Sequence, residues 1–239
     1  RDPEGNLWVG TDGAGLAVIP ADSVRARLYR AGELPLRIRA VAVDSGRVLL
    51  GTEQGVYVVE LRGSPLNFDD DRVEHYSFAR VRELLSDRVL AIAAGPAGYW
   101  IGTNQGLTQV DQEFSRWRAF RRPLGDSVSA IALLSDGRIV AGTELGLVVG
   151  DTGGLVPIVT FAQAKAVRDL AVTGSSIYLA TADTLFQVDS SGTMVPLLLG
   201  DIRSLCAGAV LWAGLGGNDE WGLGLRYLRS GQSWESYYF

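Results

Sequence analysis

The most regular feature of the chain is a short alternation of apolar and polar positions that is interrupted by glycine-containing turns. Val89 to Ala93 alternates in this way, and Tyr99 to Thr103 and Leu107 to Val110 follow after two tight turns. Arg116 to Phe120 then alternates charged and aromatic residues, as expected of a strand that has one face in water. The pattern predicts four consecutive antiparallel strands that are joined by hairpin turns.

This four-strand unit recurs about six times along the chain. Its most recognisable part is an apolar segment that ends in Gly or Ala and is followed by a turn and a second apolar segment. The aligned small residues are at positions 10, 51, 102, 142, 180 and 214, at intervals of 41, 51, 40, 38 and 34 residues. These intervals average close to the length of a four-stranded propeller blade, about 40–45 residues.

A single four-stranded sheet cannot bury both of its faces, whereas radial stacking of several sheets covers both faces and leaves only short edges. We therefore predict an all-β fold with little helix, a β-propeller of about six four-stranded blades that forms one domain over residues 1–239. The first copy lacks an inner strand before the motif. The other five copies contain one, at Ile38 to Val43, Val89 to Ala93, Val128 to Leu133, Val167 to Val172 and Ile202 to Ala207. The first blade is thus expected to be incomplete, either because the sequence is part of a longer chain or because another segment supplies the strand.

Two repeat positions are expected to build the contacts between blades. The glycine at the end of the second strand is expected to let neighbouring backbones approach each other, and a large residue two places earlier fills the gap between blades. The glycines are Gly10, Gly51, Gly102, Gly142 and Gly214, and the tryptophans among the large residues are Trp8, Trp100 and Trp212. We interpret these tryptophans as core residues and not as a platform for sugar binding.

The motif D-x-x-G-N-L-W-V-G-T-x-x-x-G-L, which runs from Asp2 to Leu16, resembles the two-component regulator propeller repeat. Tyr99 to Leu107 resembles it as well, and Leu215 replaces its Thr in the last copy. The resemblance implies the periplasmic sensor region of a bacterial histidine kinase, or a free-standing secreted or cell-surface protein. It therefore implies a periplasmic or extracellular location and a role in signal transduction.

Composition limits the classes of partner. The net charge of −5 argues against a nucleic-acid partner, because such binding needs a basic face. The sequence has no run of 18 or more apolar residues, so we expect no membrane segment. Cys206 is the only cysteine and is expected to be buried on an inner strand.

Candidate catalytic and metal-binding residues are few. His75 is the only histidine and falls in an outer strand, which disfavours the nucleophile–base sets of hydrolases and lyases as well as a zinc site. The acidic run Asp69 to Asp71 lacks the D-x-D-x-D-G spacing of a calcium loop. We therefore predict a protein that is not an enzyme and that uses no cofactor and no metal.

A candidate binding face follows from the repeat. Arg39, Arg168 and Arg203 occupy the same position in three inner strands, where a ring would bring them together near its axis. Clustered guanidinium groups attract anions and hold carboxylates or sulfates in a two-pronged way. The alternative is that each arginine pairs with a nearby acid, such as Asp169 or Asp201.

Loops between second and third strands are expected on the same face as these arginines. The insertion from Gly216 to Trp221 is such a loop, and its candidate ligand-binding residues are Asn218, Asp219 and Trp221. Loops from an outer strand to the next inner strand share this face, and one of them supplies the candidates Arg121 and Arg122. We predict a ligand-binding or sensor propeller of a bacterial cell-envelope signalling protein, with an anionic glycan or a small carboxylate as its ligand. The alternative is a structural or adaptor propeller that binds a protein partner at the cell surface or in a secretion machine.

Overall fold

The computed structural model describes residues 1–29, 34–62, 68, 70–121, 125–162, 166–208, 210–216, 224–228 and 234–237. Within these residues the regular secondary structure is β-strand, apart from one 3-10 turn at Arg82–Leu84. None of the described helical segments is long and apolar enough to cross a membrane. The chain divides into two compact units, Arg1–Arg121 and Arg122–Phe239.

The first unit contains three antiparallel sheets in which the strands follow one another in sequence order. Sheet 1 has three strands, which are β1 (Leu7–Gly10), β2 (Leu16–Ile19) and β3 (Arg27–Leu28). Sheet 2 has four strands, which are β4 (Ala40–Asp44), β5 (Arg47–Thr52), β6 (Gly55–Glu60) and β7 (Arg72–Tyr76). Sheet 3 also has four, which are β8 (Val89–Gly95), β9 (Gly98–Thr103), β10 (Gly106–Val110) and β11 (Trp117–Phe120).

The second unit contains three four-stranded sheets of the same order. Sheet 4 is formed by β12 (Val128–Leu133), β13 (Ile139–Thr143), β14 (Gly146–Asp151) and β15 (Gly154–Thr160). Sheet 5 is formed by β16 (Asp169–Thr173), β17 (Ser176–Ala180), β18 (Thr184–Val188) and β19 (Met194–Leu199). Sheet 6 is formed by β20 (Ile202–Ala207), β21 (Leu211–Leu215), β22 (Gly224–Leu228) and β23 (Glu235–Tyr237).

These six antiparallel sheets are the blades of an all-β propeller fold, which confirms the fold class predicted from the repeat. Sheet 1 has three strands among the described residues, as the absent inner strand of the first repeat predicts. The predicted inner strands agree with β4, β8, β12, β16 and β20 to within two residues at each end. The hydrophobic spacing therefore determines both the number of sheets and the position of their strands.

A buried threonine closes the turn between the second and third strands. In sheet 3, Thr103 Oγ1 donates a hydrogen bond to Gly106 O and accepts one from Gln105 N, both at 3.1 Å. Thr52 and Thr143 make the same two bonds in sheets 2 and 4. Because buried backbone groups need hydrogen-bond partners, these hydroxyl groups explain why the repeat motif has Thr after Gly.

Hydrogen bonds connect the polar residues at the start of the first motif copy. The Asp2 carboxylate accepts hydrogen bonds from the backbone and side-chain nitrogens of Asn6, at 2.8 and 2.9 Å, and from Trp8 Nε1 at 2.8 Å. Burial opposes ionisation of Asp2, but the bonds from Trp8 and Asn6 outweigh it and lower the pKa of this carboxyl. Asp2 thereby fastens the first turn to the core.

The glycine at the end of a second strand makes room for a side chain of the next sheet. A Cβ atom on Gly51 would lie 2.6 Å from Cγ1 of Val89, and one on Gly142 would lie 2.8 Å from Cβ of Val167. Val89 begins β8 and Val167 precedes β16, and both side chains are buried. We expected backbones to approach each other here, whereas the contact is between a backbone and a branched side chain.

The other repeat residues differ in burial from copy to copy. Trp8 and Trp100 are each only 5% exposed and belong to the core. Trp212 is half-buried, and its ring centroid lies 4.9 Å from that of Tyr227. The remaining repeat glycines are Gly102, which is buried, and Gly10 and Gly214, which are half-buried.

The prediction that Cys206 is buried was wrong, because its side chain is exposed. Its neighbours in β20, Leu205 and Ala207, pack against the hydrophobic core of the second unit. Successive side chains of a strand point to opposite faces of the sheet, so Cys206 lies on the other face. The run of apolar residues in β20 hid this alternation from the sequence analysis.

Candidate functional site

The structure separates the predicted site residues into groups. Arg39 belongs to the first unit, whereas Arg168 and Arg203 belong to the second. Arg121 is exposed directly after β11. The other predicted site residues, which lie outside the described residues, are Arg122, Asn218, Asp219 and Trp221.

In the second unit, two of the predicted arginines share one carboxylate. Arg168 donates a hydrogen bond to Oδ1 of Asp201, and Arg203 donates from Nε and Nη2 to Oδ2, both at 3.0 Å. Arg168 precedes β16 and Asp201 precedes β20, so the group joins sheets 5 and 6. The hydrogen bonds from Arg168 and then Arg203 hold the pKa of Asp201 below its ordinary value.

The same group lies directly against the backbone of Gly216. A Cβ atom at this position would collide with the Arg203 guanidinium and with the Asp201 carboxylate. The Gly216 N–H also donates to the Asp201 carbonyl oxygen at 2.8 Å. Because residue 216 is a glycine, the Arg203 guanidinium can pack directly against its backbone. The Arg203 side chain is nevertheless 62% exposed.

Arg39 takes part in an equivalent group in the first unit. Its Nε donates to Oε1 of Glu53 at 2.5 Å, and Nε of Arg88 lies 3.5 Å from the same oxygen. Glu53 is in the turn between β5 and β6, and Arg88 immediately precedes β8. Sheets 2 and 3 thus supply one arginine each, as sheets 5 and 6 do, but the acid comes from a second-to-third-strand turn here and from the residue before β20 in the other group.

Arg88 was not among the predicted site residues, because it does not follow the first apolar position of its inner strand as the other arginines do. In sheet 3 the residue after the first apolar position is Leu90, and the arginine stands on the other side of Val89. The pairing of β8 with β9 shifts register between Val89 and Ala91. The sequence signal for Arg88 was an arginine two positions before the expected repeat position.

We call these two groups the arginine clusters, which are Arg39–Glu53–Arg88 and Arg168–Asp201–Arg203. Each lies at the strand ends from which the second-to-third-strand turn leaves its sheet. Each has two guanidinium groups for one carboxylate, and hence an excess of one positive charge. A guanidinium has five N–H donors, so donors remain in each cluster for an anionic ligand. The pairing with acids that we considered as the alternative is present, but it does not neutralise either cluster.

At the opposite strand ends of the first unit, a recess of about 690 Å³ opens between sheets 2 and 3. We call it the sheet 2–3 recess. Its charged residues are Asp44, Arg47, Glu60, Arg62 and Glu113. A smaller recess of about 190 Å³ has the equivalent position between sheets 4 and 5 in the second unit.

Two hydrogen bonds tie the sheets together at the wall of the sheet 2–3 recess. The buried Tyr99 hydroxyl donates to Oδ2 of Asp44, and Arg47 donates to the carbonyl oxygen of Gln112. Burial, together with the bond to Asp44, raises the pKa of Tyr99 to about 12. Oδ1 of Asp44 is buried and has no hydrogen-bond partner among the described residues.

The His75 side chain makes its contacts within sheet 2. Its ring stacks on Tyr57 with the centroids 4.2 Å apart, and its Nε2 lies 2.7 Å from the carbonyl oxygen of Gln54. Within the part of the chain that the structure describes, His, Cys, Asp and Glu residues form no group of three or more that could hold a metal.

No known protein-family model matches the chain, and no curated protein sequence matches it. Solved structures do match. The extracellular domain of the putative hybrid two-component system BT3049 from B. thetaiotaomicron is 17% identical, with a TM-score of 0.75, over 99% of this chain and 34% of that one. PorZ, a surface component of the type-IX secretion system of Porphyromonas gingivalis, is 15% identical, with a TM-score of 0.68, over 98% of this chain and 31% of that one.

A third similar structure is that of an enzyme. Catalytically inactive virginiamycin B lyase from Staphylococcus aureus, with one histidine changed to alanine, is 14% identical, with a TM-score of 0.75, over 98% of this chain and 81% of that one. At these identities the similarity establishes the propeller fold. The chain spans about a third of the length of the signalling extracellular domains that it matches.

Proposed function

We propose that the chain is a ligand-binding sensor propeller of a bacterial cell-envelope signalling protein, and that it binds an anionic ligand through the arginine clusters. The observation that carries the proposal is the recurrence of one exposed arrangement, two guanidinium groups on one carboxylate, in both units. Similarity to the extracellular domain of a two-component system supports the signalling part. The motif from Asp2 to Leu16 supports the same part.

The shared carboxylate gives each cluster its function. Asp201 holds Arg168 and Arg203 in fixed positions before any ligand arrives, and this lowers the entropy cost of binding. A carboxylate or sulfate group of the ligand then meets N–H donors that already have the right orientation. The clusters are open to solvent, so each contact is weak and salt-sensitive, and we expect an extended polyanion to bind better than a single small anion.

An enzymatic function is disfavoured by the histidine content. The similar lyase structure is of a variant that is inactive after the loss of one histidine. In this chain the only histidine, His75, is stacked on Tyr57 in an outer strand. A lyase mechanism that depends on histidine would have to use this residue, and its ring nitrogen is already bonded to a backbone carbonyl.

The proposal is tested by calorimetry with sulfated and uronic-acid oligosaccharides and with citrate as the small carboxylate. The variants Arg168→Ala/Arg203→Ala and Arg39→Ala/Arg88→Ala each remove one cluster. The matched control is Arg25→Ala/Arg27→Ala, which removes the same charge from exposed positions around β3. We expect each cluster variant to weaken binding at least about tenfold. Equal binding by the parent and both cluster variants, or equal weakening in the control, would refute the proposal.

A second candidate function, an adaptor that binds another protein, is favoured by apolar residues on two outer strands of the second unit. Val156 in β15 is 64% exposed, and Val195 and Leu199 in β19 are 53% and 77% exposed. Exposed apolar side chains on outer strands are available for contact with a protein partner. A photo-crosslinking residue at position 195 should capture a single protein in the native cell if this function holds, and the same residue at position 203 should not.

A further inference from the structure

We propose that the sheet 2–3 recess is a second binding site, and that it takes an aliphatic primary ammonium group. The site is separate from the arginine clusters, because it lies at the opposite strand ends of sheets 2 and 3. Its ligand is a small diamine or the side chain of a lysine in a peptide, since both present the same ammonium group on a methylene chain.

Two acceptor groups in the lining, the Glu60 carboxylate and Oδ1 of Asp44, favour a ligand that donates hydrogen bonds. The Glu60 carboxylate lies 3.7 Å from Nη2 of Arg47 and 3.8 Å from Nη2 of Arg62, which are ion-pair distances but too long for hydrogen bonds. Its side chain is 29% exposed and lines the recess. Asp44 adds a buried carboxylate oxygen that has no donor among the described residues. A ligand that satisfies this wall has to bring N–H or O–H donors.

The charged residues of the recess carry a net negative charge. Three carboxylates, those of Asp44, Glu60 and Glu113, line the recess together with two guanidinium groups. Arg47 already donates to the carbonyl oxygen of Gln112 and is in contact with Tyr99, which raises the pKa of its guanidinium. The remaining excess is one negative charge, and it favours a cation over a neutral donor such as a hydroxyl group.

Part of the recess lining is apolar. Val43, Leu61 and Ala94 border the recess next to the charged residues. A chain of four or five methylene groups can cover these side chains while its ammonium group reaches Glu60, as lysine side chains do on protein surfaces. A sugar ring would place hydroxyl groups against the same apolar residues and would have less favourable contacts.

Three five-carbon probes of equal length separate the possible chemistries. Cadaverine carries two ammonium groups, 1,5-pentanediol carries two hydroxyl groups and glutarate carries two carboxylates. We expect cadaverine to bind in calorimetry and to shift the backbone amide NMR signals of Gly46, Leu61 and Gly95. Pentanediol and glutarate should leave these three signals unchanged. Stronger binding of the tripeptide Gly-Lys-Gly than of cadaverine would identify a peptide as the source of the ammonium group, and the reverse would identify a free amine.

Two variants predict changes of opposite sign. Glu60→Gln removes the accessible acceptor charge and should weaken cadaverine binding about tenfold. Arg62→Gln removes a cation that competes for Glu60 and should strengthen cadaverine binding, whereas it would weaken the binding of an anion or leave that of a diol unchanged. Glu4→Gln, at an exposed turn position before β1, is the control with the same change of charge.

The inference is overturned if the parent does not bind cadaverine at millimolar concentration, if pentanediol binds equally well, or if Glu60→Gln has no effect. Citrate should not compete with cadaverine, because the proposed anion site is at the other strand ends. The failure of one site therefore leaves the result for the other unaffected.

Discussion

Replacement of Gly51 by alanine tests how neighbouring sheets are held together. The added Cβ would lie 2.6 Å from Cγ1 of Val89, whereas carbon atoms in contact are about 3.5–4.0 Å apart. Val89 is fully buried, so a displacement of about 1 Å would have to be absorbed by the surrounding core. Overpacking of this kind costs about 1–3 kcal/mol. For a chain of this size, each kcal/mol corresponds to a decrease in melting temperature of about 2–4 °C.

The assay is urea unfolding of the parent, of Gly51→Ala, of Val89→Ala and of the double variant. Since the smaller residue at position 89 removes the clash, the double variant should lose less stability than the sum of the two single changes. Gly154→Ala is the control, because a Cβ there has no neighbour within 4 Å. Unchanged stability of Gly51→Ala, or strictly additive losses in the double variant, would refute the proposed contact.

Three further predictions concern hydrogen bonds and pH. Asp2→Ala should cost about 1–3 kcal/mol in urea unfolding, because it leaves the Trp8 and Asn6 donors unpaired, and a near-neutral change would contradict this role. Thr103→Val should cost a similar amount and Thr103→Ser much less, and equal losses would show that the methyl group matters instead of the hydroxyl. Burial raises the pKa of the Asp169 carboxyl, although backbone amides donate hydrogen bonds to it. The native state therefore binds this proton more tightly than the unfolded state does. Stability should fall as pH rises from the unfolded-state pKa of about 3.9 through the native-state pKa. Asp169→Asn should reduce this fall in unfolding measurements between about pH 3 and 7, and an unchanged pH dependence would exclude Asp169 as its source.

The fold could be predicted from the sequence because its signals are local. A glycine after an apolar strand, a threonine in the next position and a turn of fixed length recur at blade spacing, and each recurrence reports one sheet. The exposed Cys206 shows the limit of this signal, because an apolar neighbourhood in sequence does not reveal which face of β20 is covered.

The candidate site could be predicted only in part, because its contacts join residues that are far apart in sequence. Arg168 was a candidate from its repeat position, but its sharing of Asp201 with Arg203 depends on the packing of sheet 5 against sheet 6. No pattern in the sequence predicted the sheet 2–3 recess. The bond from Tyr99 to Asp44 spans 55 positions of the chain, and neither residue belongs to a recognisable functional motif.

The Nε–Hε NMR signals of the arginine side chains report directly whether the arginine clusters bind an anionic ligand. Titration with a sulfated oligosaccharide should shift the signals of Arg39, Arg88, Arg168 and Arg203 with one common affinity for each cluster, and added salt should reverse the shifts. The signals of Arg25 and Arg27 should remain in place. Shifts that are absent from both clusters, or that are equally large at these two control arginines, would contradict the account.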